Sequence, residues 1–298
     1  MQIGIAGIGK MGAAIAARLI EQGFHVGAWN RTRAKAEALA PLGVVVHDTP
    51  AALAKASDLV LAAVSDAAAI AATYDGASGL LAGATPGKLY IEMSTVPPEV
   101  VRALAERVRA AGAVLVESPV SGSTGPAREG KLFALVGGDE ADVARAQPVL
   151  AALCRRIEYV GPVGAAASVK LAINLPLLVY YQTLGEALAL MKPLGLEPER
   201  AISILADTSG APAMMKVRAP SIVKQLQGGS VVPTVDIANV CKDLRTMVDV
   251  TQARGGDAPI AKRALECYEQ ALASGLGALD CTRLTAFWVE RAPIKSAQ

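Results

Sequence analysis

The chain opens with a short apolar run, Ile3-Gly4-Ile5-Ala6, that breaks into Gly7-Ile8-Gly9-Lys10-Met11-Gly12 and continues as an amphipathic stretch from Ala13 to Gln22. No other segment constrains the fold as strongly. A strand that feeds a glycine turn and then a helix makes a cradle for a pyrophosphate. Gly7 permits the tight turn, Gly9 lets the backbone approach the phosphates, and Gly12 lets the helix pack close to the strand. The helix start offers unpaired N–H groups and the positive end of its dipole to an anion. Three glycines at this spacing also occur in plain strand-to-helix turns. Here Gly23 and a second strand-like run, His25-Val26-Gly27-Ala28-Trp29, supply the context of a dinucleotide site.

The residues after that second run bear on which dinucleotide. An NAD site places Asp or Glu there to bind the ribose 2′-hydroxyl. This chain has Asn30-Arg31-Thr32, with Arg33 next. A guanidinium and two short polar side chains can grip a 2′-phosphate, and no carboxylate repels it, so the reading is NADP(H). The same residues also suit an exposed helix start capped by Asn30 or Thr32.

Strand and helix patterns alternate through the first half. Strands are expected at 2–6, 25–29, 44–46, 58–63, 88–92, 113–116, 131–136 and 156–160, and helices at 11–22, 33–40, 50–56, 97–111 and 139–153. This alternation predicts an α/β, doubly wound parallel sheet of Rossmann type over residues 1–161. Gly161-Pro162-Val163-Gly164 punctuates, and no confident strand follows. One long helix is expected at 165–192, kinked at Pro176, where proline lacks an N–H and crowds the carbonyl of Ala172. Further helices are expected at 197–206, 236–254, 258–274 and 281–290, with a loop at Gln227–Ser230. Residues 162–298 therefore read as an all-α domain joined by the long interdomain helix. Ligands of such sheets bind beyond the carboxyl ends of the strands.

Composition narrows the classes. The net charge of +2 and an aromatic content of 4% leave no electrostatic footprint for nucleic acid. The most apolar run, Leu171 to Tyr181, is too short to span a bilayer. Met1 leads almost straight into the first strand, so the reading is a cytoplasmic protein without a signal peptide. Cys154, Cys241, Cys267 and Cys281 show neither CxxC nor zinc-ligand spacing, and are expected as reduced thiols in or near the core.

Absences limit the chemistry too. The two histidines, His25 and His47, have no convincing carboxylate partner and read as structural. There is no Tyr-x-x-x-Lys pair, no Gly-x-Ser-x-Gly elbow and no His/Cys cluster for a catalytic metal. A proton donor for hydride transfer is offered by Lys170, with Asn174 four residues on and on the same helix face. A lysine snorkelling from an amphipathic helix has the same pattern. The loop Glu117-Ser118-Pro119-Val120-Ser121-Gly122-Ser123-Thr124-Gly125-Pro126 follows a strand, where ligands bind. Ser121, Gly122 and Ser123 offer hydroxyls and N–H groups suited to a carboxylate, or form only a proline-rich connection.

These segments together — Gly7-x-Gly9-x-Met11-Gly12, Met93-Ser94-Thr95-Val96, Ser118-Pro119-Val120-Ser121-Gly122-Ser123, Gly161-x-x-Gly164 with Lys170 and Asn174, and Lys242-Asp243 — resemble the β-hydroxyacid dehydrogenases over almost the whole chain. Trp29-Asn30-Arg31-Thr32, the pattern at 121–127 and Gly275-Leu276-Gly277-x-x-Asp280 resemble the glyoxylate/succinic semialdehyde reductase branch. The resemblance implies that Lys170 is the general acid in reduction and base in oxidation, and that Asn174 orients it and the substrate. It implies that Ser121, Gly122 and Ser123 hold the substrate carboxylate, with Lys242 lining the site and Asp243 supporting it. Gly7, Ile8, Gly9, Lys10, Met11, Gly12, Asn30, Arg31 and Thr32 would bind the dinucleotide. Val64 and Ser65 would lie along it, and Ser94 and Thr95 near its nicotinamide. A homodimer or homotetramer through the α-domain is also implied. The chain departs from the family at Ile173, where asparagine is common, and at Ala166, where a second glycine is frequent. Pro176 is unusual so near the catalytic pair. Val235 stands where the favoured branch has phenylalanine, which widens the expected pocket.

The expected activity is NADPH-dependent interconversion of a small aldehyde-acid, such as succinic semialdehyde or glyoxylate, and its hydroxy acid. 3-Hydroxyisobutyrate and tartronate semialdehyde are alternative substrates. Two rival readings are an imine reductase, which generally lacks the lysine at this place, and a sensor that holds NADP(H) without turnover. Protonated lysine dominates near neutrality at its reference pKa of about 10.4, so reduction needs no perturbation, whereas oxidation should quicken at alkaline pH.

Overall fold

The computed structural model describes residues 1–292. Its chain forms two compact units, Met1–Ala172 and a second that begins at Ile173. In the first, strands β1 (Gln2–Ala6), β2 (His25–Trp29), β3 (Val45–Val46), β4 (Leu59–Ala62), β5 (Leu89–Glu92) and β6 (Val114–Glu117) lie parallel in the order β3-β2-β1-β4-β5-β6. The chain reverses its winding between β1 and β4, and this is the switch point at which open α/β sheets bind ligands. The intervening helices are α1 (Lys10–Glu21), α2 (Arg33–Glu37), α3 (Pro50–Ala56), α4 (Ala67–Tyr74) and α5 (Pro98–Ala110).

Side-chain alternation along the strands divides the core. Ile3, Ile5, Leu59, Leu61, Leu89, Ile91 and Val116 pack on one face with Ile15 and Leu19 of α1. Val60, Ala62, Tyr90 and Leu115 pack on the other with Leu53 of α3, Ile70 and Tyr74 of α4, and Leu104 and Val108 of α5. Both faces are covered, which is why these strands are near-continuous apolar runs.

The sheet's far edge departs from the parallel pattern. Between β6 and β8 (Leu132–Gly137) the chain holds only β7 (Val120–Ser121) and the five-residue helix α6 (Thr124–Arg128). That is too little for a packed crossover helix, so β8 returns antiparallel to β6 and β7 pairs antiparallel with β8. Helix α7 (Glu140–Leu153) then restores a parallel pairing of β9 (Cys154–Gly161) with β8.

Helix α8 (Ala165–Met191) starts in the first unit and continues into the second; it stays one helix through Pro176. The second unit adds α9 (Pro198–Ala206), α10 (Met214–Leu226), α11 (Ile237–Ala253), α12 (Pro259–Ala271) and α13 (Arg283–Arg291). Among its described residues there is no strand, only an isolated bridge between Asp236 and Asp280. Leu184, Leu188, Ile202, Met215 and Ile222 form a core there. The Tyr268 hydroxyl donates to the Leu178 carbonyl at 3.1 Å and ties α12 to α8. Helices α4 and α10 were not expected. The alanine-rich α4 has almost no apolar periodicity, and α10 carries Pro220 in its interior. Among the described residues, no helix is long and apolar enough to cross a membrane. The four cysteines are all buried and unpaired.

Candidate active site

The turn from β1 to α1 has the conformation that its glycines predict. Gly7 sits at φ +99°, and a Cβ there would stand 2.4 Å from the Ala63 carbonyl oxygen. A Cβ on Gly12 would stand 2.0 Å from the Gly7 carbonyl oxygen. Both positions are fixed by the protein's own packing. Gly9 differs, because a Cβ there meets nothing within 4 Å. Its bareness keeps open space rather than avoiding a neighbour, as a backbone that must admit a phosphate group requires. Gly9 precedes α1 without a side-chain cap, and the first turn of α1 holds no acidic residue, so the helix N-terminus suits an anion.

That space belongs to a cavity of about 290 Å³ lined by Gly7, Gly9, Asn30, Arg31, Val64 and Ser65, with Lys35 also on its wall. The Asn30 side chain braces the turn. Its Oδ1 accepts from Ile8 N at 2.9 Å and its Nδ2 donates to the Thr32 carbonyl at 2.8 Å. Neither Asn30 nor Thr32 caps α2 through its side chain. Lys10 is exposed and Met11 half-buried on the first turn of α1. Arg33 ion-pairs with Glu37 and Asp48, which leaves Arg31 and Lys35 as the cations lining this cavity. Lys35 is a site residue that the sequence did not reveal: it lies on α2, whereas Arg31 precedes the helix, and only the fold brings the two to one cavity.

At the carboxyl edge of β4 and β5, the Ser94 hydroxyl accepts from Val64 N at 2.9 Å, while Ser94 N donates to Glu92 Oε1 at 2.9 Å. Glu92, 1% exposed, therefore fixes both loops that the sequence assigned to the cofactor, with Thr95 half-buried beside Ser94. Burial pushes its carboxyl up to about 7, against the hydrogen bonding from Ser94 that pulls it down.

The serine loop leaves β6 and is anchored by the sheet. Ser118 N donates to the Glu92 carbonyl at 2.7 Å, Leu135 N donates to the Pro119 carbonyl at 3.0 Å, and Ser121 pairs with Phe133. Ser121 is half-buried; Gly122 and Ser123 are exposed. Gly122 needs to be glycine, at φ +129° with Leu132 Cδ2 only 2.8 Å from where a Cβ would stand.

Lys170 is 8% exposed on α8, and Asn174 follows one turn later, half-buried. The sequence missed what holds this helix. Glu117, the last residue of β6, accepts from Gly164 N at 2.6 Å, Ala166 N at 2.8 Å and Ala167 N at 3.2 Å. Burial pushes its carboxyl above the usual range, while these three amides and the Arg102 guanidinium pull it back. In the second unit, Lys242 and Asp243 sit on α11 with Lys242 Nζ 2.9 Å from Asp243 Oδ1. His25 is exposed at the start of β2, and His47 packs its ring over Gly27, where burial lowers its pKa.

Comparison with known proteins shows the family. Residues 2–161 match the family described as the NAD binding domain of 6-phosphogluconate dehydrogenase. Residues 164–288 match that described as NAD-binding of NADP-dependent 3-hydroxyisobutyrate dehydrogenase. Glyoxylate/succinic semialdehyde reductase 1 of Arabidopsis thaliana is 33% identical over 94% of this chain and 96% of its own. The 2-(hydroxymethyl)glutarate dehydrogenase of Eubacterium barkeri is 29% identical over 97% and 95%. Among solved structures, Psf3 in complex with NADP+ and 2-OPP is 26% identical, covers 96% of this chain and 99% of its own, and superposes with a TM-score of 0.86. The chain belongs to the β-hydroxyacid dehydrogenase family, and is an oxidoreductase that uses NAD(P).

Proposed function

We propose that this protein is an NADPH-dependent reductase that converts a small aldehyde bearing a carboxylate into its hydroxy acid, with Lys170 as the proton donor. The observation that carries the reading is a buried lysine on a helix whose start is clasped to the strand leading into the serine loop. Gly7, Gly9 and Gly12 would hold the pyrophosphate, Arg31 and Lys35 the 2′-phosphate, and Val64, Ser65, Ser94 and Thr95 the remainder of the cofactor. When bound, that cofactor supplies the hydride.

The chain's own groups supply the rest. Ser121, Gly122 and Ser123 bind the substrate carboxylate through hydroxyl and N–H donors. The Lys170 ammonium stabilises the carbonyl oxygen as charge grows on it and hands it a proton. Asn174, one turn beyond Lys170 on the same helix, orients it, and on α11 Asp243 holds Lys242. The identity of the first Arabidopsis relative supports succinic semialdehyde or glyoxylate as substrate. Val235, 43% exposed, is smaller than the phenylalanine that the resemblance implies at this place, which would favour the larger of the two. Neighbouring semialdehydes differ by few atoms, so discrimination among them should be modest, on the order of 10–200-fold per methylene.

Steady-state NADPH oxidation against glyoxylate, succinic, tartronate and methylmalonate semialdehydes, with cyclic imines alongside, tests the reading. Turnover of an aldehyde-acid and none of the imines is expected. Imine turnover alone, or NADPH binding without turnover of any carbonyl, overturns it. Light scattering on the same preparation should return a dimer or tetramer.

A further inference from the structure

A helix of ordinary length leaves its first four N–H groups without partners inside the helix. In α8 all four are satisfied. Ala165 N donates to the Pro162 carbonyl at 3.0 Å, and Gly164, Ala166 and Ala167 all donate to the single carboxylate of Glu117. The cap therefore comes from 47–50 residues away, at the end of β6. An ordinary N-cap would use a Ser, Thr, Asp or Asn at the helix start itself. Here that position is Gly164, which has no side chain to offer.

The neighbourhood is cleared for this arrangement. Gly137 lies opposite Glu117 in the β6–β8 pairing, and a Cβ on it would stand 2.4 Å from Glu117 Oε1. Gly164 sits at φ +96°, and a Cβ on it would stand 2.5 Å from Arg102 Nε. Glu117 itself is 1% exposed. A buried carboxylate is costly unless its lone pairs are occupied, and these amides occupy both oxygens.

Two chain segments leave this point. One is the serine loop, which begins at the next residue and is independently pinned by its bonds to the Glu92 carbonyl and to β8. The other is α8. Lys170 lies three residues beyond the last clasped amide, about 5 Å along the helix axis at 1.5 Å per residue. We propose that Glu117 is the positioning residue for Lys170: its clasp on the first turn of α8 fixes where the lysine stands relative to the loop that would hold the substrate carboxylate. This rests on the reading of Lys170 as proton donor. The loop has its own anchors, whereas three of the four first N–H groups of α8 are held by Glu117, so losing the clasp should shift the helix start more than the loop. A displacement near 1 Å at a reacting group costs on the order of 10²-fold in rate.

The test compares Glu117→Gln and Glu117→Asp with the unaltered chain and with Lys170→Ala. The readouts are amide hydrogen exchange at residues 164–167, NADPH affinity by fluorescence, and kcat and KM for the aldehyde-acid turned over by the unaltered enzyme. In Glu117→Gln an amide donor replaces one acceptor oxygen. Exchange at 164–167 should quicken and kcat should fall about tenfold or more, with KM within roughly threefold and NADPH affinity unchanged. Glu117→Asp, one methylene short but still charged, should recover part of the lost kcat. Should Glu117→Gln fail to fold, Gly137→Ala displaces the same carboxylate without removing it and is read the same way. Full kcat in Glu117→Gln beside an inactive Lys170→Ala overturns the proposal alone. So does a loss of NADPH affinity in proportion to kcat, which marks a general structural defect. Near-normal turnover in Lys170→Ala overturns the reading of the lysine and the proposal with it.

Discussion

The contrast among the three glycines of the first turn gives a prediction with a magnitude. Gly9→Ala adds a methyl group where nothing lies within 4 Å, at φ −84° and ψ −166°, which any residue adopts. The only folding cost is that of alanine in place of glycine at a helix N-cap, about 1 kcal/mol or less. Gly12→Ala places the same methyl 2.0 Å from a backbone carbonyl that cannot rotate away, so α1 must shift from β1. Overpacking of that kind costs about 1–3 kcal/mol, and more where backbone is the obstacle. Thermal melts should therefore leave Gly9→Ala within a few degrees of the unaltered protein and lower Gly12→Ala clearly. NADPH titration by fluorescence should show the reverse emphasis. Gly9→Ala should lose about 10-fold or more in affinity while folded, because its methyl enters the space kept for the phosphates. Unaltered NADPH affinity in a folded Gly9→Ala protein would refute the assignment of that space.

Three further outcomes follow from the same geometry. If the proposed 2′-phosphate site is right, Arg31→Ala and Lys35→Ala, each removing a cation from this cavity, should each raise KM for NADPH with little effect on NADH; equal effects on both cofactors would contradict that proposal. Glu92 has its pKa raised from 4.5 to about 7 in the folded state, so between those values the folded protein binds the extra proton, and stability falls as pH rises through that window. Glu92→Gln should remove this loss, of roughly 3 kcal/mol, and melting curves at pH 5 and pH 8 should show it gaining on the unaltered protein only at the higher pH. Asp280, buried in the second unit, accepts from Thr234 N, Thr282 N and Arg218, and despite burial these hold its carboxyl below the usual range. Asp280→Ala leaves the Arg218 charge unpaired and should cost about 3–5 kcal/mol by denaturant titration; a change below 1 kcal/mol would show the pair to be dispensable.

What could be read from the sequence was what local chemistry decides. The β1–turn–α1 unit was visible because glycine spacing and apolar periodicity both act over a dozen residues. The long α8 was visible because its apolar run outweighs one proline. The direction of β8 was not, because it depends on how little helix fits between residues 117 and 132. Arg33 and Lys35 look alike in sequence, yet Asp48, a distant residue, draws Arg33 away and leaves Lys35 to the cavity. Glu92 and Glu117 went unread as parts of the site because their partners are backbone amides. The amides held by Glu117 lie about fifty residues further on. The signal available was modest: two strands otherwise wholly apolar each end in a carboxylate, immediately before a serine-bearing loop, and the two are register partners in the sheet. A charge that closes a buried strand must find donors, and the nearest unpaired ones are loop and helix-start amides.

Lys170 is the group on which the proposed chemistry turns. Single-turnover rates of aldehyde-acid reduction with NADPH, for the unaltered protein and for Lys170→Ala with demonstrated cofactor binding, test it most directly. A fall of at least about 100-fold in Lys170→Ala is expected, with faster oxidation of the hydroxy acid by the unaltered protein as pH rises. A Lys170→Ala protein that reduces the aldehyde at a rate close to that of the unaltered chain would contradict it.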